Sequence, residues 1–145
     1  MREFDRALPM MLYRALEAVQ PRFRAIFTRF GLTETQWRVL RVLWEHDGMG
    51  HLDLSRATLI PAPSLVGVID RLERDRLVNR TKNETDRRKI GLFLTDAGRA
   101  LQSTVQPLID QTYVELEGSL SDEQWRALYG AIDALCAGHK QSAKV

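Results

Sequence analysis

The chain has 145 residues, 44% of them hydrophobic and 28% charged, which suits one folded domain and excludes a disordered chain. Its net charge of +2 is unevenly distributed, because residues 71–89 carry eight basic and four acidic side chains. This concentration is the footprint of either a polyanion-binding surface or an ordinary solvated surface. No apolar run has transmembrane length and no signal-peptide core follows Met1, so we expect a cytoplasmic protein with no membrane partner.

The first predicted element is a long amphipathic helix from about Phe4 to Phe30. Its apolar residues recur at steps of three and four, at Leu8, Leu12, Ala15, Val19, Phe23, Ile26 and Phe30. Pro21 has no N–H to donate, so we expect a kink or a break there, and Gly31 suits the C-cap. A helix this long is difficult to bury in so small a domain, so we expect it to pack on a partner chain.

Two shorter helices are predicted next. A capping box at Thr33 and Gln36 starts a helix that runs to about Glu45 and is closed by Asp47-Gly48. The segment from His51 to Leu59 predicts a short helix, and its expected inward side chains are Leu52, Leu54 and Ala57.

The next segment combines a helix with a charged hairpin. From about Ala62 to Arg74, the apolar residues Leu65, Val68, Ile69 and Leu72 share one helical face. The opposite face presents Ser64, Gly67, Asp70, Arg71 and Arg74. Residues 78–82 and 90–94 predict two short strands, with a charged tip over residues 83–89. Such a helix and hairpin would reach two grooves of DNA at once.

Two further helices complete the chain. Thr95 is the expected N-cap of a helix over Asp96 to about Gly118, which Pro107 interrupts. Its apolar side is formed by Leu101, Val105, Leu108, Ile109, Thr112 and Leu116. A capping box at Ser121 and Gln124 starts the last helix, along which Trp125, Leu128, Ile132 and Leu135 align, and the polar end from Gly138 is expected to fray. For the single Cys136 we favour core packing over a redox or zinc role.

This order of elements predicts a mainly α (α+β) fold whose central part, Thr33 to Leu94, is a winged helix-turn-helix. Three segments then resemble the MarR family of bacterial transcription regulators. Leu32 to Leu40 is similar to the start of the family's second helix, and Val68 to Arg80 resembles the recognition helix and the strand after it. Asp86-Arg87-Arg88, with Leu94 to Gly98, resembles the family's Asp-x-Arg wing and Leu-Thr-x-x-Gly close. Within the family, Gln36-Trp37-Arg38 and Pro63-Ser64-Leu65 resemble the regulators of homoprotocatechuate (4-hydroxyphenylacetate) breakdown.

The resemblance implies a single MarR-type domain over residues 1–145 and an obligate homodimer. Residues 1–31 and 96–138 would form the dimerisation region, residues 32–95 the DNA-binding region, and residues 139–145 a flexible tail. Two winged helices would bind a palindromic operator as a repressor, and a small aromatic acid would release the DNA. The chain departs from the family at two positions. Arg76 stands where many members have Gly, which suits a left-handed C-cap better than Arg, and Gly67 stands where many have a polar or basic side chain.

The candidate DNA contacts follow from this placement. Ser64 and Gly67 would lie near base edges, and Arg71 and Arg74 would reach guanine or phosphate, unless they form surface ion pairs such as Asp70 with Arg74. In the wing, Asp86 would pair with Arg88 while an arginine enters the minor groove. The complete predicted set is Ser55, Arg56, Ser64, Gly67, Arg71, Arg74, Arg80, Asp86, Arg87 and Arg88.

An anionic aromatic effector needs a cation and an apolar wall. The candidates for this site are Tyr13, Arg14, Arg24, Trp37, Arg38 and Arg41, although Trp37 could equally be core and the arginines ion pairs. No Gly-rich phosphate loop, metal-ligand set or nucleophile elbow is found, so we predict no enzyme, no cofactor and no metal. Two alternatives to the ligand-responsive repressor stay open: a redox-responsive regulator that uses Cys136, and a winged helix that binds protein only.

Overall fold

The computed structural model describes residues 3–82 and 90–142, and the side chains of these residues except 82 and 139–142. After a 3₁₀ turn at Phe4–Arg6 the elements are α1 (Leu8–Arg29), α2 (Glu34–Glu45), β1 (Met49–Gly50), α3 (His51–Thr58), α4 (Ala62–Arg74), β2 (Val78–Lys82), β3 (Ile90–Leu94), α5 (Asp96–Glu117) and α6 (Asp122–Ser142). One compact unit ends at Leu108 and a second begins at Ile109, so α5 contributes to both. The predicted fold class, a mainly α winged helix-turn-helix, is confirmed.

Side-chain caps place the helix starts where the sequence predicts them. Thr33 Oγ1 accepts from the Gln36 amide at 3.2 Å, and Gln36 Oε1 accepts from the Thr33 amide at 2.9 Å. Ser121 and Gln124 repeat this capping box at the start of α6. The Gly98 amide donates to Thr95 Oγ1 at 3.0 Å, which caps α5. These local hydrogen bonds are encoded within four residues, so sequence alone was sufficient to find them.

The prolines do not break the long helices. Helix α1 is continuous through Pro21 and α5 through Pro107, so of the predicted kink or break the break is absent. Each proline removes one hydrogen bond from a helix of 22 residues, and the remaining backbone bonds and the apolar face maintain it. The backbone of α6 likewise continues past Gly138 to Ser142, so the helical part extends into the segment expected to fray.

The inward face of α3 differs from the prediction. Leu54 is fully buried, but Leu52 is 63% exposed and Ala57 is also exposed. Thr58, four residues after Leu54 and therefore on the same face, supplies the second inward position, whereas Leu52, two residues before Leu54, lies on the opposite side of the helix. Thr58 Oγ1 donates to the Leu54 carbonyl at 2.7 Å, which satisfies the hydroxyl in its buried site.

The core of the winged helix-turn-helix lies between α2, α3, α4 and the sheet. The four predicted inward residues of α4, Leu65, Val68, Ile69 and Leu72, are all buried, together with Val39, Leu40, Leu43, Leu54 and Val78. Helices α3 and α4 meet at 101°, the angle of a helix-turn-helix. Among the described helices none is by itself long and apolar enough to cross a membrane, and only α3 and α4 together pass that test across their bend.

The sheet has three antiparallel strands in the order β1-β3-β2. The bounds of β2 and β3 agree with the prediction, and Val78 pairs with Leu94. Strand β1 was not predicted; Met49 pairs with Leu92, so β3 is the central strand. The predicted hairpin tip, residues 83–89, lies outside the described residues.

Arg76 lies in the turn between α4 and β2. It has the left-handed backbone conformation that the resemblance implied, since many family members have glycine at this position. Arg76 has φ +58°, its amide donates to the Glu73 carbonyl, and the Leu77 amide donates to the Leu72 carbonyl, both at 2.9 Å. Arginine in this conformation is strained by about 1 kcal/mol relative to glycine. Thr95 Oγ1 compensates in part by donating to the Arg76 carbonyl at 2.7 Å.

The outer helices keep apolar side chains exposed in the single chain. On α1 these are Leu8, Met11, Leu12 and Leu16, and on α6 they are Leu128, Ile132 and Leu135. Cys136 is also exposed, so the expectation that it packs in a core is wrong for the isolated chain. The reason is that the α6 stripe beside it is itself uncovered.

Candidate nucleic-acid interface

Helix α4 presents one face to the core and the opposite face to solvent. Ser64, Asp70, Arg71 and Arg74 are exposed, and Gly67 is half-buried. Arg71 forms no ion pair among the described residues, and Arg74 has only a 3.9 Å contact to Asp75. The predicted pair of Asp70 with Arg74 is therefore not formed, and both guanidinium groups are available to an anionic partner.

Asp70 instead pairs with Arg80 on β2. Arg80 Nη2 donates to Asp70 Oδ1 and Nη1 donates to Glu73 Oε2, each at 2.6 Å. The Arg80 backbone amide also donates to Glu73 Oε1 at 3.0 Å. Because Asp70 and Glu73 are on α4 and Arg80 is on β2, this cluster connects the strand to the helix. Arg80, predicted as a DNA contact, thus has its charge neutralised by two carboxylates.

The turn between α3 and α4 is closed by two side chains of α3. Ser55 Oγ donates to the Ile60 carbonyl at 2.6 Å, so its single proton is used within the turn rather than offered to a phosphate. His51 Nε2 lies 2.9 Å from the Ala62 carbonyl and must be the donor, since a carbonyl only accepts. Leu59 adopts φ +55° within this turn. Arg56, the other predicted α3 contact, is well exposed, with Asp53 3.6 Å away.

Asp47 joins three elements at the base of the winged helix. Its Oδ1 accepts from the Leu94 amide at 2.8 Å and from the Gly48 amide at 3.1 Å. Its Oδ2 accepts from Arg99 at 2.8 Å, and Arg99 also donates to the Leu94 carbonyl at 3.0 Å. This joint connects the end of α2, the end of β3 and the first turn of α5.

An aromatic series starts at the end of α1 and continues along α2. Phe27 stacks on Trp37 with ring centroids 4.7 Å apart, and Trp37 contacts the edge of Trp44 at 5.2 Å. Trp44 Nε1 donates to the Gly98 carbonyl at 2.9 Å, which anchors the series to α5. Trp37 is half-buried, so it is part of this packed series and still reaches the surface.

Two of the predicted effector arginines, Arg24 and Arg38, are linked through Gln20 and Glu34. Arg38 donates to the Thr58 carbonyl at 3.0 Å and lies 3.6 Å from Glu34, while its buried Nε has no hydrogen-bond partner among the residues that the structure describes. Gln20 donates to Glu34 at 3.4 Å and accepts from Arg24 at 3.3 Å. Arg24, Gln20, Glu34 and Arg38 therefore form one polar group between α1 and α2.

The other effector candidates are not brought into that group. Arg14 pairs with Asp5 at 2.8 Å and Arg41 with Glu45 at 2.7 Å, and Tyr13 is exposed on α1. A cavity of about 210 Å³ lies elsewhere, between α3, α4 and the sheet. It is lined by Met49, His51, Leu54, Ile69, Arg80, Ile90, Gly91 and Leu92, none of which was predicted for an effector site.

The predicted wing contacts Asp86, Arg87 and Arg88 lie outside the described residues. Sequence reasoning missed the structural roles of Asp47, Arg99 and Glu73. Asp47 before Gly48 was predicted only to end a helix, and its main partners are 47 and 52 residues away along the chain. Within the described part of the chain, no group of three or more His, Cys, Asp or Glu side chains could hold a metal ion.

Comparison with known proteins gives one consistent result. Residues 32–90 match the MarR family. The homoprotocatechuate degradative operon repressor of Escherichia coli is 37% identical over 131 residues, which cover 90% of this chain and 88% of the repressor.

Two solved structures share the fold. The transcriptional repressor CouR, bound to a 23-mer DNA duplex, superposes with a TM-score of 0.82 at 27% identity, covering 94% of this chain and 98% of CouR. NadR in complex with 4-hydroxyphenylacetate gives a TM-score of 0.76 at 31% identity, covering 93% of this chain and 96% of NadR.

Proposed function

Because the chain belongs to the MarR family of transcription regulators, we propose that it is a ligand-responsive repressor that binds double-stranded DNA. The observation that carries this proposal is the exposed face of α4, whose last turn presents Arg71 and Arg74 from a winged helix-turn-helix. The likeness to CouR on its duplex supports the same use of the fold. This function needs no enzymatic activity, and we place the protein in the bacterial cytoplasm, where it would meet DNA.

We further propose that the protein acts as a homodimer on a palindromic operator. The support is the exposed apolar stripe of α1 and that of α6, which a single chain leaves in water. Residues 1–31 and 96–138 would form the dimerisation region, and residues 32–95 the DNA-binding region. A two-fold dimer presents two copies of α4, which matches an operator with two half-sites.

The proposed DNA contacts differ in what they would do. Arg71, Arg74 and Arg56 are exposed cations that would bind phosphate or guanine, and Arg88 or Arg87 would enter the minor groove, with Asp86 pairing with Arg88. Ser64 and Gly67 would allow the helix to approach base edges. Arg80 and Ser55, in contrast, would act by positioning, since each is already engaged within the winged helix.

Replacing Arg71 by alanine should weaken DNA binding and lower the dependence of affinity on salt by about one unit of the log–log slope. The measurement is fluorescence anisotropy with a duplex from the chain's own upstream region at several salt concentrations. Arg22→Ala on α1 removes the same charge from an exposed position outside α4 and should leave the slope unchanged. If the affinity of wild type for the duplex does not change with salt concentration, the protein does not bind DNA through a basic surface.

For the effector, we propose a small phenolic carboxylate that binds beside Trp37 and Arg38. The repressor of Escherichia coli takes its name from homoprotocatechuate breakdown, and the NadR complex contains 4-hydroxyphenylacetate. In this chain Trp37 supplies an aromatic face and Arg38 a cation whose buried Nε is unpaired. Arg24 is within the same polar group, whereas Tyr13, Arg14 and Arg41 would take part only after rearrangement of their present contacts or positions.

Calorimetry with 4-hydroxyphenylacetate tests this site. Wild type should release heat on binding, and Arg38→Ala should bind at least about tenfold more weakly, the effect of losing one charge-assisted hydrogen bond. Arg22→Ala, which removes an exposed arginine that is not among the effector candidates, serves as the matched control and should bind as wild type does. Equal heats for wild type and Arg38→Ala would remove Arg38 from the site.

The redox-responsive alternative rests on one observation, the exposure of Cys136. It requires that peroxide release the DNA from wild type and not from Cys136→Ser. The ligand-responsive repressor requires release by an aromatic acid from both proteins. A mobility-shift assay with both reagents separates these two functions, and a winged helix that binds only protein would shift no DNA at all.

A further inference from the structure

The first two turns of α4 differ chemically from its last turn. Their solvent-exposed side chains are Pro63, Ser64 and Val66, and Gly67 follows at a half-buried position. Apart from the Ser64 hydroxyl, this surface offers no side chain that hydrogen-bonds, since the amides and guanidinium groups that recognise bases are absent from it. The residues that enter deepest into a major groove are those of the N-terminal part of a recognition helix. In this protein that part is mainly apolar.

Val66 is an unusual residue for this surface. It is a β-branched apolar side chain, 46% exposed, on the helix whose other apolar residues Leu65, Val68 and Ile69 are buried. It lies three residues after Pro63 and four before Asp70, so these three share one exposed strip of the helix. The strip ends at Asp70, which Arg80 neutralises at 2.6 Å, so the carboxylate beside Val66 repels DNA less than a free one would.

Gly67 leaves the flank of Val66 open. Apart from its two chain neighbours and the backbone of its own helix, no heavy atom of the described residues lies within 4 Å of a Cβ added at Gly67, so open space adjoins the helix beside Val66. A group of the size of a methyl could therefore approach the Val66 side chain without displacing another side chain. The surface combines an apolar contact with the room for a small apolar partner.

Among the groups that the four bases present in the major groove, the apolar one is the C5-methyl group of thymine. We infer that Val66 is a specificity-determining residue, which contacts the C5-methyl group of a thymine in each operator half-site. The inference rests on the proposed function, DNA binding through α4. The N-terminal part of α4 would then recognise an apolar group of a base rather than a pattern of hydrogen-bond donors and acceptors.

Deoxyuridine supplies the test, because it keeps every hydrogen-bonding group of thymine and lacks the methyl. An operator is first selected from a random duplex library, and each thymine of its half-sites is then replaced by deoxyuridine, one symmetric pair at a time. For wild type, deoxyuridine at one of these symmetric pairs of thymines should weaken binding by about fourfold per half-site, the factor for burying one methyl group. For Val66→Ala the same pair should change the affinity by less than twofold.

Ser64→Ala is the matched control on the same surface. It removes the hydroxyl and should keep the full discrimination between thymine and deoxyuridine, while circular dichroism verifies that each variant is folded. The inference is overturned if no thymine is selected, if no deoxyuridine pair weakens wild-type binding, or if Val66→Ala discriminates as well as wild type. In each of these cases salt-dependent, sequence-specific binding would still support the proposed function. The loss of all such binding would overturn the proposed function and this inference together.

Discussion

Replacing Gly98 by alanine should lower the free energy of unfolding by about 3 kcal/mol, the upper part of the range for overpacking in a dense site. A Cβ at Gly98 would collide with the Leu77 carbonyl oxygen and would also press on Leu94. That carbonyl is backbone and accepts a hydrogen bond from the Thr95 amide at 3.0 Å, so it cannot rotate away as a side chain would. The Gly98 carbonyl is itself held by Trp44. The start of α5 and the approach to β2 therefore have to separate.

Urea denaturation at one fixed protomer concentration measures this effect, because dimerisation would make the midpoint depend on concentration. Gly67→Ala is the control, since it is also a glycine-to-alanine change within a helix. Apart from its chain neighbours and its own helix backbone, no atom of the described residues lies within 4 Å of its added Cβ, so this variant should be more stable by about 1 kcal/mol through helix propensity alone. Opposite signs for the two variants are expected. If Gly98→Ala is as stable as Gly67→Ala, the close approach of α5 to the chain at Leu77 is not a constraint.

The features that sequence predicted correctly are those encoded over short distances. The capping boxes at Thr33 and Ser121 need only residues three positions apart, and the buried stripe of α4 needs only the helical period. The bounds of β2 and β3 also agree with the prediction made from their own short apolar and β-branched runs. In each case the physical cause is local, so the pattern and the structure agree.

The features that sequence missed depend on partners far along the chain. Strand β1 has two residues, too few for any alternation, and exists because Met49 meets Leu92. The Arg80 cluster requires β2 to return beside α4, which places Asp70 and Glu73 within 2.6 Å of the guanidinium. Arg71, Arg74 and Arg80 were all predicted to contact DNA, and charge counting does not distinguish a paired arginine such as Arg80 from a free one.

The error in α3 has a different origin. Leu52 and Ala57 were expected to point inward because they are apolar, but an eight-residue helix buries only a narrow face. Thr58 takes the second buried position because its hydroxyl bonds back to Leu54, which removes the penalty for burying a polar group.

The prediction for Arg76, in contrast, agrees with the structure. A strained left-handed conformation of this arginine was inferred from the resemblance alone, and the backbone has that conformation.

Replacing Asp47 by alanine should destabilise the protein by about 2 to 3 kcal/mol, because the buried Leu94 loses the charged acceptor of its amide. Arg99 loses its partner at the same time, but this contributes little since the guanidinium is 54% exposed. Asp47 itself is only 29% exposed at its side chain, so water replaces it poorly. The joint between α2, β3 and α5 would then keep the Trp44 hydrogen bond to Gly98 and the Arg99 hydrogen bond to the Leu94 carbonyl.

Two further variants separate the parts of this effect in the same urea titrations. Asp47→Asn keeps an oxygen that accepts from the Leu94 amide and loses the charge, so it should be destabilised by about 1 kcal/mol. Arg99→Ala removes the exposed ion pair with Asp47, a 3.9 Å contact with Asp96 and the bond to the Leu94 carbonyl, and it should cost less than Asp47→Ala by about 1 kcal/mol or more. If Asp47→Ala loses the most unfolding free energy, and Asp47→Asn and Arg99→Ala each lose clearly less, the contact between the Asp47 carboxylate and the Leu94 amide is the stabilising one. Equal losses for Arg99→Ala and Asp47→Ala would instead assign the stability of the joint to the ion pair.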